Sequence, residues 1–206
     1  MSFRITRKKS KRCMLTDSSF FRRAEIQLLM YVTARTLGQP CCRTWTLRND
    51  KALQAYADFT SRHLVNQSED VLRQLNDEAF RMGTKLRRLF FLKKKSSAVR
   101  LIVSLYRNIG IDLEMMENGT LCFRHCFFSS CYTPAVCVAA SALDDGFIRG
   151  LAGLPSSRLC FSQRITEGFS CCLATMNKRN IQRNSNCQDV RHHTVPSPDD
   201  FRGEAT

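Results

Sequence analysis

Long apolar runs are missing from this chain of 206 residues. The longest, roughly Pro134 to Leu143, falls far short of the about 20 residues that a membrane-spanning helix needs. Also absent are Gly-x-Gly-x-x-Gly, the Walker phosphate loop, Gly-x-Ser-x-Gly and His-Glu-x-x-His, so the easily recognised nucleotide-binding and hydrolase classes drop out. Histidine is scarce, with four in the chain. His63 ends a helical pattern, His192 and His193 fall near the end of the sequence, and none has a partner at ligand spacing. Acidic residues are outnumbered, 18 against 32 lysines and arginines, for a net charge of +14. No apolar segment follows the basic start (Arg4, Arg7, Lys8, Lys9, Lys11, Arg12), which argues against a secretory signal. The expectation is a cytoplasmic protein, with organellar import left open by a basic start that also contains serine.

Cysteine, by contrast, is abundant: there are eleven. An odd count without a secretory signal favours reduced thiols over a disulfide framework. With 43% hydrophobic and 24% charged residues, most of the chain should fold. Length and composition suit one substantial core, or a core with an appended helical subdomain.

Periodicity divides the chain. Residues 1–17 read as a disordered basic arm, 18–110 as a helical half, 111–176 as a cysteine-rich α+β half and 177–206 as a flexible tail. Four helices are expected in the first half. One runs over Ser19–Thr36 and stops at Gly38-Gln39-Pro40, and a second runs from Asp50 as N-cap to Leu64. A third opens on an Asn66/Glu69 capping box and carries Leu72, Leu75, Ala79, Met82, Leu86 and Leu89; the fourth presents Val99, Ile102, Tyr106 and Ile109. After Gly110 the period changes. Ile111, Leu113 and Met115 alternate, and Asn118-Gly119 signals a hairpin whose return strand reaches about Phe128. Thr133-Pro134 then reads as an N-cap and first helical position, and Gly153 closes that helix. A second hairpin, Leu159 to Ile165 and Phe169 to Thr175, turns at Glu167-Gly168. The fold class is α+β, with helices first and a hairpin–helix–hairpin half after them.

Seven of the eleven cysteines lie between Cys122 and Cys172. Cys126, Cys131 and Cys137 bracket a helix N-terminus, where the dipole favours thiolate, and the last strand returns Cys171 and Cys172. Converging sulfurs there suit tetrahedral zinc or an iron–sulfur cluster, with Cys126, Cys131, Cys137 and Cys171 as the metal ligands. Cys172 is the alternative to Cys171, since the register of that strand is open, and His125 is a substitute for one sulfur. The spacing lacks the Cys-x-x-Cys knuckles of a zinc finger. Against the metal stands packing, because a buried free cysteine behaves as a small hydrophobe. Asp144 and Asp145 are adjacent in a helix and point about 100° apart, which does not suit a carboxylate pair. Arg164, read as mid-strand near Cys171, is a candidate for holding a carboxylate on a small molecule.

The run Cys126-Phe-Phe-Ser-Ser-Cys-Tyr-Thr-Pro-Ala-Val-Cys137, then Ser141-Ala-Leu-Asp-Asp-Gly146 and Gln163-Arg-Ile-Thr-Glu-Gly168 with Cys171-Cys172, resembles a bacterial cysteine-containing domain. Its layout is similar to the C-terminal parts of amino-thiazoline carboxylate hydrolase-like proteins, V4R-type small-molecule-binding domains and the plastid carotene isomerase family. The resemblance covers about Asp112 to Thr175 and implies an iron- or ligand-binding α+β domain, without fixing a reaction.

The charge has its own pattern. From Arg81 to Arg100 there are eight basic residues and no acid. Arg81, Lys85 and Arg88 recur along one face of the third helix, and Lys93, Lys94 and Lys95 follow it. These six are the candidate nucleic-acid contacts, although aromatics do not interleave them and no helix-turn-helix accompanies them. Two functions follow from different classes. One is a metal- or cluster-binding domain that senses or transforms a small molecule; the other is a non-catalytic basic module for nucleic acid or an acidic partner, in which the cysteines pack.

Overall fold

The computed structural model describes residues 19–178. The basic arm expected over 1–17 and nearly all of the tail expected after 177 lie outside the described residues. The fold is α+β, as the periodicity predicts. Helices α1 (Ser19–Thr36), α2 (Asn49–His63), α3 (Glu69–Leu89) and α4 (Lys95–Asn108) come first. Strands β1 (Ile111–Met115) and β2 (Leu121–Cys126), helix α5 (Pro134–Ala152) and strands β3 (Ser157–Gln163) and β4 (Cys172–Lys178) follow. The sheet is antiparallel in the order β1-β2-β4-β3, so the last strand does lie beside the first hairpin.

Local chemistry accounts for most boundaries. The Thr133 hydroxyl accepts from the Val136 N–H, Pro134 opens α5, and Gly153 ends it at φ 71°. Two N-caps differ from expectation. Helix α2 begins at Asn49 with Arg48 as its N-cap, and α3 is capped by Ser68, whose hydroxyl accepts from the Val71 N–H. Asn66 instead takes the left-handed turn before α3, at φ 57°, a conformation that its short polar side chain tolerates. Strand β4 extends through Asn177 and Lys178, pairing with Arg158 and Ser157, so regular structure runs two residues into the segment expected to be tail.

One core runs through both halves, from Ile26, Met30 and Leu53 in the helices to Phe123, Leu151 and Ala174 around the sheet. Helices α3 and α5 form its tightest contact. A Cβ on Gly83 would stand 2.5 Å from the Phe147 carbonyl oxygen, and Cβ atoms on Gly146 and Gly150 would run into the Asn76 and Phe80 carbonyl oxygens of α3. Beside this crossing, Asp145 and Arg149 are buried as an ion pair at 2.9 Å. Arg149 also donates to Asn76 Oδ1 and the Pro155 carbonyl, while Asp145 accepts from Asn76 Nδ2 and the Leu159 N–H. With its polar atoms partnered, the pair ties α3, α5 and β3 together.

Candidate functional site

Helix α5 presents Cys137, Ser141 and Asp144 at i, i+4 and i+7 toward the 3-10 turn Ile165–Glu167. Arg164 stands at the end of β3, as the residue before that turn, and not in mid-strand. Its guanidinium lies 4.8 Å over the Phe161 ring, donates to Ser141 Oγ at 3.5 Å and approaches Glu167 at 3.6 Å. Asp144 accepts from the Tyr106 hydroxyl at 2.7 Å. Burial pushes its carboxyl up to about 6, opposed by the Tyr106 hydrogen bond and by Arg164. Adjacent Asp144 and Asp145 thus serve different neighbours, as helical geometry requires.

Around this polar group sit three thiols. Cys126 is pushed up to about 12 by burial, against hydrogen bonds from the Phe128 and Ser129 backbone. Cys172 is pushed up to about 11 by burial, although the Ile165 N–H donates to its sulfur at 3.3 Å. The Cys137 thiol is also raised, again chiefly by burial. In all three, burial favours the neutral S–H.

The quartet of expected metal ligands does not assemble as one set. Cys126 and Cys137 are neighbours, but the Cys131 sulfur turns toward α2, 3.9 Å from Gln54 Nε2. Cys171 lies on the opposite face of the sheet, against Cys122 and 3.4 Å from Gln163 Nε2. The pairing explains why: Phe123 stands opposite Cys172 and Cys122 opposite Leu173, so strand alternation sends Cys172 inward and Cys171 outward. His125 is exposed, beyond the register shift in the β1–β2 pairing. Among the described residues, no three His, Cys, Asp or Glu side chains converge on a point where an ion would sit. The four cysteines expected as ligands therefore do not stand as one tetrahedral set among the described residues.

The basic candidates separate into two places. Arg81 and Lys85 line a groove of about 470 Å³ between α1 and α3, together with Leu28, Tyr31 and the acids Asp77 and Glu78. Arg81 is paired there with Glu78. Arg88, Lys93, Lys94 and Lys95 are exposed around the turn that joins α3 to α4. Among the described residues these four form no ion pair.

That turn has an unusual cap. The Leu92 N–H bonds the Arg87 carbonyl and the Phe91 N–H bonds the Arg88 carbonyl, the paired reverse bonds of a Schellman ending. Leu92 packs against the core, as the residue in that position commonly does. The left-handed position belongs to Phe91, at φ 49° and 82% exposed. Leu89 and Phe90 beside it are also exposed. Sequence reasoning singled out the lysines and took Leu89 as the last apolar position of the third helix, and it assigned no role to Phe90 and Phe91.

No family model, curated protein or solved structure matches this chain.

Proposed function

We propose that this protein is a non-catalytic binding module that holds an acidic partner on the basic surface at the α3–α4 turn. The observation that carries this reading is the contrast between the two candidate sites. Around α5 the Asp145 carboxylate is paired with Arg149, Asp144 accepts from Tyr106, and burial raises the Cys126, Cys137 and Cys172 thiols. Arg88, Lys93, Lys94 and Lys95 stand in solvent with no acid from Arg81 to Arg100 to neutralise them. A charged cluster left unpaired attracts a polyanion by releasing its counterions, and needs no pocket to do so.

The test is the affinity of the full-length protein for heparin across a salt series. With about four charges engaged, affinity should fall about 100-fold between 50 and 200 mM salt. Replacing Lys93, Lys94 and Lys95 with glutamate should flatten that dependence. Protein purified without oxygen should be colourless and free of stoichiometric metal, and Cys126, Cys137 and Cys172 should resist alkylation until it unfolds. Salt-independent binding would overturn the reading, and so would one zinc or an iron–sulfur cluster per chain.

A further inference from the structure

Phe91 is where the chain departs from its own habits. Every other left-handed residue among those described is glycine (Gly38, Gly110, Gly119, Gly153, Gly168), apart from Asn66 in its turn. A bulky side chain at positive φ crowds its own backbone, so glycine is the default at this point of a helix ending. A phenylalanine here would be compensated if its ring packed into the core. Instead it is 82% exposed, with Leu89 67% and Phe90 45% exposed beside it. The conformational strain therefore brings no packing inside the molecule. Strain retained without an internal return points outward, to something the side chain meets.

We propose that the Leu89-Phe90-Phe91 tip inserts into the interface of an anionic lipid membrane while Arg88, Lys93, Lys94 and Lys95 bind its headgroups. This rests on the basic-surface reading above and names the acidic partner. Two features favour a lipid surface over a nucleic acid. Apolar and basic residues are segregated in the sequence, with three consecutive apolar side chains at the tip and cations on both flanks. That order suits a boundary with hydrocarbon on one side and charge on the other. Stacking on bases would call for aromatics interleaved with cations, and only Phe90 and Phe91 are present, next to an aliphatic Leu89. The lysines sit within four residues of Phe91, so a ring held in the interface keeps them at headgroup depth, where long side chains extend toward water. Among the described residues no helix is long and apolar enough to span a bilayer, and the mode proposed is a shallow, reversible contact.

The experiment is cosedimentation of the full-length protein with vesicles of phosphatidylcholine alone and of phosphatidylcholine with about one third phosphatidylserine. Binding should require phosphatidylserine and weaken with added salt. The double variant Phe90→Ser with Phe91→Gly keeps every charge, and should bind phosphatidylserine vesicles at least tenfold more weakly. The single variant Phe91→Gly should show a melting temperature equal to or above that of the parent, because glycine relieves the strain; this separates lost binding from lost folding. Binding of the double variant equal to the parent's would overturn the insertion. If heparin and single-stranded RNA bind through Lys93, Lys94 and Lys95 but vesicles do not, the membrane inference fails and the basic module stands. If none of them binds, both fail.

Discussion

Glu25 and Asp144 lie on a cavity of about 50 Å³ between α1, α3, α4 and α5. Burial pushes Glu25 up to about 8, despite a hydrogen bond from Asn108 and the nearby charge of Arg22. Its ordinary value is 4.5, so at pH values between the two the folded chain keeps a proton that the unfolded chain releases. Asp144 behaves in the same sense over a narrower range, from 3.8 to about 6. A carboxyl raised in this way contributes a stability that declines as pH rises through the window and is fully lost above the folded value. Glu25→Gln should therefore change little near pH 4.5 and raise the melting temperature relative to the parent by a growing margin toward pH 8. A margin that does not vary with pH would show that the carboxyl is already ionised in the folded state. Cys126 and Cys172 obey the same electrostatics: removed from water, they keep their protons and act as small apolar groups.

Elements meet through backbone contact where α3 crosses α5. Gly146 and Gly150 are one turn apart, and with Gly83 they bring the helices closer than any side chain at these positions allows. None of the three needs glycine for its own backbone angles, since none has a positive φ. The requirement is one of close approach. Gly146→Ala should thus cost about 1–3 kcal/mol or more by overpacking, read from the denaturant midpoint, although alanine is the better helix former. A stabilised variant would mean that the crossing opens without loss. At the α3–α4 turn the relation is reversed, because Phe91 has free space and an unfavourable angle. The two sites differ in kind: one glycine set is held by its neighbours, and one phenylalanine is tolerated in spite of its backbone.

Across the whole molecule, the buried Asp145–Arg149 pair joins the helical half to the sheet. Asp145→Ala would leave Arg149 buried without its counter-charge and the Leu159 N–H without its side-chain acceptor, and would take one of the two acceptors from Asn76 Nδ2. The expected cost is about 3–5 kcal/mol, a large share of the stability of a domain this size. Because the pair spans α3, α5 and β3, loss should appear together in far-ultraviolet circular dichroism and in aromatic signals as one earlier transition. Separate transitions would indicate that the helical half holds without the sheet. Away from this junction the charge is asymmetric, with cations at one turn that form no ion pair among the described residues and mixed signs in the α1–α3 groove.

How far these features are legible before folding depends on the range of the interactions behind them. Helix and strand periods, the Asn118-Gly119 turn, the Thr133-Pro134 start and the Gly153 stop are decided within a few residues, so the sequence alone determines them. The class α+β, with helices ahead of hairpin–helix–hairpin, follows from that local information. The separation of the cysteines does not, because it depends on which strand pairs with which and in what register. One residue of slip would exchange Cys171 for Cys172. The fate of Cys131 was set by α2, whose Gln54 and Ser61 are more than sixty positions away in sequence and meet it only in the fold. Asp145 looks like any polar helical residue until α3 and β3 enclose it. Leu89 reads as the last apolar position of a helix until a left-handed Phe91 ends that helix and leaves Leu89, Phe90 and Phe91 in solvent. Local chemistry chose the elements, and only their packing decided which thiols were buried, which charges were paired and which rings were left outside.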